Sequence, residues 1–143
     1  MKKAACLLAL AAVALVPTIA AAQSSTGPQT VTGAKPAIVI KTNNLGKVLA
    51  TPTKYGIYYW NVEKQAGGKI KCTGQCAVVW PPVYVTGTVQ KKITGVMATF
   101  GTIKRGSKRQ LTVNGLPTYT YHDDPKGVVL CDNVGGWFAF KQR

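Results

Sequence analysis

Two short segments of the chain share a pattern of aromatic and acidic residues that could carry chemistry. Each segment has aromatic residues at positions i and i+2 and a carboxylate at i+5, and the second lies 61 residues after the first. The six residues of this duplicated motif are Tyr58, Trp60 and Glu63 in the first copy and Tyr119, Tyr121 and Asp124 in the second. Because side chains alternate between the faces of a strand, each copy predicts a strand with both aromatic residues on one face and the acid on the turn beyond it.

The aromatic residues of the duplicated motif have two interpretations. Buried or half-buried positions in a sheet are the simpler one, with the tyrosine hydroxyls and the indole N–H reaching polar partners. An exposed stacking platform for sugars or bases is the alternative. For the acids, we expect bonds to backbone N–H groups or to a lysine rather than the paired carboxylates of a glycoside hydrolase.

The composition excludes most catalytic sites. The 143 residues include 18 Lys and Arg, four Asp and Glu and one His, which gives a formal charge of +14. A blue-copper centre needs two histidines, a serine nucleophile needs a positioned base, and no Gly-x-Ser-x-Gly segment is present. We therefore expect no catalytic site and no cofactor. The weak candidates for metal ligands are His122, Asp124 and Cys131.

The N-terminus has the three parts of a secretory signal peptide. A positively charged start precedes an apolar run over residues 4–16, and small residues precede a cleavage site after Ala22. Cleavage there would discard Cys6 and two of the 18 basic residues, so that 16 remain against four acids, a charge of +12. We expect a periplasmic or extracellular protein in which residues 23–35 form a flexible leader.

Three cysteines remain after such cleavage, in an oxidising compartment. Cys72 and Cys76 lie four residues apart and predict a local disulfide, whose short loop limits its stabilisation to about 2 kcal/mol. Pairing of Cys131 with either of them, or a thiol or metal role, is the alternative, and each pairing leaves one thiol over. The Cys-x-x-x-Cys spacing and the lack of a βαβ pattern argue against a thioredoxin-like redox site.

The elements that must position these residues are short strands. Runs of β-branched and aromatic residues alternate with Gly, Pro and Asn and predict a mainly β domain over residues 36–143. Asn114-Gly115 predicts a type I′ hairpin turn, and at most one short helix is expected, over residues 73–80 before Pro81-Pro82. The predicted strands are residues 37–41, 47–51, 57–62, 83–89, 96–104, 110–113, 118–122 and 137–141.

The duplication predicts two related halves, about residues 45–90 and 91–143. A half of about 55 residues is marginal as a separate domain, so we expect both halves to share one core. The expected fold class is a small antiparallel sheet, sandwich or barrel-like domain.

A family resemblance rests on the duplicated Tyr-x-(Phe/Trp/Tyr)-x-x-Asp pattern and on the segment CTGQCAVVWPP over residues 72–82. With these features, the chain resembles the bacterial secreted-repeat family of predicted lipoproteins, roughly from Leu45 to Phe140. The resemblance implies export and supplies no biochemical activity.

The chain departs from the family in three ways: Glu63 stands where Asp is usual, the lipid-acceptor cysteine is absent, and Cys131 lies where a Gly-rich loop is usual. The second departure implies a soluble exported form.

The positive charge predicts a solvated basic surface that attracts anionic envelope polymers or a membrane surface. Its candidate residues are Lys91, Lys92, Lys104, Arg105, Lys108 and Arg109. No nucleic-acid-binding module accompanies them, so nucleic acid is not an expected partner. The scarcity of acids is also consistent with work in an acidic medium, because few carboxylates would respond to protonation.

From the sequence we therefore expect an exported cell-envelope protein that is a non-catalytic structural or binding module. The alternative is a periplasmic metal-binding or redox accessory protein that uses Cys131, His122 and Asp124.

Overall fold

The structure is a computed structural model that describes Cys6 and residues 26–143. It contains ten strands and two short helices, which confirms the mainly β fold class. The predicted signal peptide, apart from Cys6, and the first residues of the predicted leader lie outside the described residues. The strands are β1 (Gln29–Thr32), β2 (Ile38–Thr42), β3 (Gly46–Ala50), β4 (Tyr58–Trp60), β5 (Val83–Thr86), β6 (Phe100–Arg105), β7 (Lys108–Val113), β8 (Leu116–Pro117), β9 (Trp137–Ala139) and β10 (Lys141–Gln142), and the helices are α1 (Asn61–Gln65) and α2 (Gln75–Val79).

The strands of the described chain form three small open sheets rather than a closed barrel. The largest has the order β1-β5-β7-β6 with β8 also paired to β7, the second has the order β10-β3-β2, and the third pairs β4 with β9. All these pairs are antiparallel except β1 with β5. Each sheet combines strands from before and after residue 90, so the two halves of the sequence interleave.

The hairpin turn at Asn114-Gly115 is confirmed. Both residues have positive φ, 52° and 77°, as a type I′ turn requires. The flanking residues pair in the two-residue hairpin register, with Val113 opposite Leu116. This turn fixes the end of β7, the strand that pairs with three others.

The predicted flexible leader is wrong over the part that the structure describes. Strand β1 pairs in parallel with β5, and Val31 at its centre is 5% exposed within the core. Thr30, Val31 and Thr32 are β-branched residues that suit a strand, but the partner strand lies more than fifty residues away. A local reading of polar composition does not reveal such a pairing.

The expectation of at most one helix is also wrong. Helix α2 falls within the predicted residues 73–80, but α1 replaces the end of the predicted strand 57–62. The chain turns at Asn61, whose N–H donates to the carbonyl of Gly136. In the second copy of the motif, two isolated bridges, from Tyr119 to Tyr58 and to Pro82, represent the predicted strand 118–122.

Two clusters of buried residues form the core. The first lies around the largest sheet and includes Leu49, Phe100 and Leu111. The second contains Tyr58, Tyr119 and Tyr121, and the half-buried Trp60 packs against it. In the described part of the chain, no helix is long and apolar enough to cross a membrane.

Candidate functional site

The two copies of the duplicated motif meet at their first tyrosines. Tyr58 and Tyr119 form an antiparallel bridge in which the N–H of each donates to the carbonyl of the other, at 2.8 and 3.0 Å. Both residues are fully buried. A pair of reciprocal bonds between equivalent residues places an approximate twofold axis between the two copies.

The side chains follow the same symmetry, because each tyrosine binds the acid of the other copy. The Tyr58 hydroxyl donates to Asp124 Oδ2 at 2.6 Å, and the Tyr119 hydroxyl donates to Glu63 Oε1 at 2.7 Å. Glu63 is fully buried and Asp124 is 2% exposed. In the duplicated motif, each buried tyrosine–acid hydrogen bond therefore joins one half of the sequence to the other.

Each acid also organises a loop of its own half. Asp124 Oδ1 accepts the N–H of Leu130 at 3.0 Å. Glu63 Oε1 accepts the N–H groups of Lys71 and Cys72 at 2.8 and 3.0 Å, whereas its Oε2 has no hydrogen-bond partner among the described residues. These bonds fix the loops that carry Cys72 and Cys131, and they give the acids a structural role at these positions.

Burial changes the acidity of this cluster. Loss of hydration is the largest effect on Asp124 and raises its pKa to about 7, although the bonds from Tyr58 and Leu130 act in the opposite direction. Burial likewise raises the pKa of the Tyr58 and Tyr119 hydroxyls well above the ordinary value, and the adjacent carboxylates add to this effect. Both tyrosines therefore act as hydrogen-bond donors at neutral pH.

Three tryptophan rings stack beside the bridge, and the ring of Tyr121 packs against one of them at a tilt of 43°. Trp80 and Trp137 lie face to face, with centroids 3.9 Å apart and planes 8° apart. Trp60 stacks on the outer face of Trp137 at 5.3 Å, and Tyr121 packs against Trp80 at 5.0 Å. These contacts confirm the core interpretation for the motif's aromatic residues, because they pack on one another instead of forming an exposed platform.

The predicted disulfide between Cys72 and Cys76 is present, with Cα atoms 5.2 Å apart. The prediction of one left-over thiol applies to a chain cleaved after Ala22. In the described structure, which includes Cys6, Cys131 pairs with that residue, with Cα atoms 5.8 Å apart. That separation lies within the range that a disulfide spans. The sequence interpretation had placed Cys6 in a discarded signal peptide, and a spacing of 125 residues gives no local signal of the pair.

The weak metal-ligand candidates bind other partners in this structure. His122 Nε2 lies 3.3 Å from Asp123 Oδ2, Asp124 binds Tyr58 and Leu130, and Cys131 is in a disulfide. Within residues 26–143 and Cys6, no three His, Cys, Asp or Glu side chains are grouped so that they could hold one metal ion.

The hairpin formed by β6 and β7 carries four of the predicted surface cations, and one of them faces inward. Arg105 donates to the carbonyl of Cys72 at 2.6 Å, to Gln110 Oε1 at 3.0 Å and to the Tyr119 hydroxyl at 3.4 Å. These three bonds distinguish Arg105 from the other candidate cations, because they hold its guanidinium against the protein. Alternation along β6 explains the difference, because Lys104 points to the opposite face and is exposed.

The other candidate cations lie at the surface. Lys91 and Lys92 are exposed on the long segment before β6, and Lys108 and Arg109 are exposed at the start of β7. Lys108 Nζ lies 4.7 Å from the centre of the Tyr84 ring, a distance typical of a cation–π contact. Arg109 donates to the carbonyl of Gly87 at 2.6 Å. Tyr84, on the neighbouring strand β5, was not among the predicted site residues.

An open cleft of about 450 Å³ lies where these residues meet, and we call it the hairpin cleft. Strands β5 and β7 pair only at Tyr84 and Gln110. Beyond that point the cleft is lined by residues 85–87, residues 107–109 and Thr30 of β1. None of the chain's four acids lines the hairpin cleft.

The acids are almost absent from the protein surface. Glu63 and Asp124 are buried, and Asp132 is 9% exposed and pairs with Lys141 at 2.8 Å. Asp123, with a side chain 47% exposed, is the acid that faces solvent most openly. The surface therefore carries the cations with little opposing charge.

Similarity to known proteins covers part of the chain. Residues 39–84 match the model of the Lipoprotein_15 family, described as a secreted repeat of unknown function. This segment includes Tyr58, Glu63 and Trp80 and ends before the second copy of the motif. The match confirms the resemblance to a secreted repeat and implies an exported protein. No curated protein and no solved structure matches the chain.

Proposed function

We propose that this protein is an exported, non-catalytic module of the cell envelope that binds anionic polymers through the hairpin cleft. The observation that carries the proposal is the convergence of Lys108, Arg109 and Tyr84 at an open cleft without a carboxylate. Paired cations at a rim of this kind donate charge-assisted hydrogen bonds to phosphate or carboxylate groups.

The distribution of charge supports a polyanionic ligand. Of the four acids, three are buried or nearly so, and the cations at the surface therefore produce a field of one sign. Such a field raises the rate at which anionic polymers are captured, and salt screens it. The hairpin cleft would add a defined contact to this general attraction.

The duplicated motif is assigned a structural role in this proposal. Its acids and tyrosines satisfy one another and the backbone, so none of them has to be recruited for catalysis. The metal or redox alternative has less support, because Cys131, His122 and Asp124 each have another partner.

The test is a titration of the protein with linear polyphosphate and with polygalacturonate at about 0.15 M salt, where the Debye length is near 8 Å. We expect the double substitution Lys108→Gln and Arg109→Gln to weaken binding by about tenfold or more. Lys41→Gln with Lys69→Gln is the matched control, since both lysines are exposed and the net charge changes equally. The proposal is contradicted if the wild-type protein binds neither polymer, or if the two double variants lose equal affinity.

We further infer that the chain is processed near Ala22, which would separate Cys6 from Cys131. The mature protein would then contain one thiol, at Cys131, besides the Cys72–Cys76 disulfide. Alkylation of the denatured, unreduced protein purified from the exported fraction should add one label, detected by intact mass. An unlabelled chain that still contains Cys6 would show that the described pair persists and that the inferred processing is wrong.

A further inference from the structure

We propose that a second cleft, lined by Tyr59 and Phe138, is a sugar-binding subsite and that the anionic polymer is an acidic glycan. This inference rests on the proposed function and specifies its ligand. We call this second site the platform cleft, and its volume is about 540 Å³. That size lies within the range of sites that bind small molecules.

Strand alternation places two aromatic rings in this cleft. Tyr59 and Phe138 are directly paired between β4 and β9, while their neighbours Tyr58 and Trp137 point to the core from the opposite face. The rings of Tyr59 and Phe138 lie 5.6 Å apart with planes 22° apart, and both residues are half-buried. Tyr59 also packs on the buried ring of Phe140, 4.9 Å away, which holds it in position.

The polar groups of the platform cleft suit a sugar that carries a negative charge. The Tyr59 hydroxyl has no hydrogen-bond partner in the described part of the chain, so it is available to a ligand hydroxyl. Lys64 is exposed, and its Nζ lies 5.7 Å from the centre of the Tyr59 ring. A sugar ring has an apolar face of C–H groups that packs on an aromatic ring, while its hydroxyl and carboxylate groups need donors at the edge. The ring of Tyr59 supplies the aromatic contact, and its hydroxyl and the Lys64 ammonium supply the donors.

Charge complementarity favours an acidic glycan over a neutral one. Lys64 and Lys141 line the platform cleft, and none of the four acids does. Lys141 is engaged by Asp132, which leaves Lys64 as the cation available to a ligand carboxylate. The platform cleft thus repeats the combination of tyrosine and lysine found in the hairpin cleft.

The two clefts are separate sites at opposite ends of one strand. Lys108 and Arg109 begin β7, whereas Asn114 and Leu116, which line the platform cleft, follow its end. Six residues of extended chain span about 20 Å. Substitutions in one cleft should therefore leave the other intact, because distant sites usually act independently.

The experiment compares polygalacturonate, which has sugar rings, with linear polyphosphate, which has none. We expect Phe138→Ala and Tyr59→Ala each to weaken polygalacturonate binding by about tenfold, as the loss of one stacking ring does elsewhere. Polyphosphate binding should stay within about twofold. Tyr55→Ala is the matched control, since Tyr55 is half-buried outside both clefts. The urea midpoint of each variant verifies folding, and Phe138→Ala alone suffices if Tyr59→Ala does not fold.

The possible outcomes separate this inference from the proposed function. Equal losses for both polymers, or no loss for either, overturn the sugar subsite while binding at the hairpin cleft stands. A loss confined to a single-stranded polynucleotide offered in parallel would overturn the glycan in favour of stacked bases. If the wild-type protein binds neither polyanion, the proposed function itself fails.

Discussion

The acids of the duplicated motif serve the fold through single hydrogen bonds that cross between the halves. Tyr58 and Tyr119 each hold a carboxylate that lies more than fifty residues away in the sequence. The i, i+2 and i+5 spacing predicts which residues share a face, but it does not predict that each tyrosine selects the acid of the other copy. That selection depends on the approximate twofold axis, which only the packed structure reveals.

Removal of one tyrosine hydroxyl should measure how much one of these crossing hydrogen bonds contributes to stability. Tyr58→Phe leaves the buried Asp124 Oδ2 without its donor, and we expect a loss of about 1.5–3 kcal/mol in the free energy of unfolding. Tyr59→Phe is the matched control, because that neighbouring hydroxyl has no partner in the described residues, and it should cost less than about 0.5 kcal/mol. Urea denaturation measures both values. Equal effects of the two substitutions would contradict the structural role of the motif.

The pKa of Asp124 predicts how stability depends on pH. Burial raises this pKa from the ordinary 3.8 to about 7, so the unfolded chain releases the proton at lower pH than the folded protein does. The contribution of Asp124 is therefore fully present below about pH 4 and is lost as the pH rises through about 7. The urea midpoint should accordingly increase as the pH is lowered from about 8 to about 5.

Asp124→Asn should remove most of this pH dependence, whereas Asp123→Asn, at an exposed neighbour, should keep it. The measurement is made at about 0.15 M salt, which screens repulsion among the surface cations. A wild-type midpoint that falls over the same acidification would refute the assignment. The predicted direction agrees with the sequence-based expectation that few acids favour tolerance of acidic media.

At the scale of secondary-structure elements, the sequence predicts those turns and strands that depend only on their own residues. The Asn114-Gly115 turn follows from two residues that tolerate positive φ, and β2 and β3 follow from their composition. Strand β1 depends on β5 as a partner, and α1 depends on Glu63 turning inward to bind the loop at Cys72. Such long-range interactions leave no periodic pattern in the sequence, so the leader and the end of the first motif strand were incorrectly predicted.

The hairpin of β6 and β7 shows the same limit for charged residues. Four cations are close in sequence, and only the strand register separates Arg105, which binds the core, from exposed Lys104. We expect Arg105→Gln to lower the free energy of unfolding by about 1–3 kcal/mol, because the carbonyl of Cys72 loses a charged donor.

Lys104→Gln is the charge-matched control and should change stability by less than about 0.5 kcal/mol. Thermal or urea denaturation at one pH is sufficient for the comparison. Equal stability of the two variants would show that Arg105 contributes as a surface cation instead.

At the scale of the whole molecule, the charge of the surface depends more on where the acids lie than on how many there are. A charge of +14 on the 143 residues predicts attraction to polyanions in general. The structure adds that most of the acids are withdrawn from the surface and that two clefts combine tyrosine with lysine. Neither cleft could be predicted from sequence, because Tyr84, Tyr59 and Phe138 become neighbours of the cations only through strand pairing.

The central claim is that an anionic ligand binds at the hairpin cleft while the duplicated motif supports the fold. Titration of ¹⁵N-labelled protein with short linear polyphosphate, followed by amide chemical shifts, tests it most directly. We predict the largest shifts at Thr86, Gly87, Lys108 and Arg109, with the amides around Tyr58 and Tyr119 nearly unchanged. Shifts centred on the motif, or none at any residue when polyphosphate is in large excess, would contradict the account.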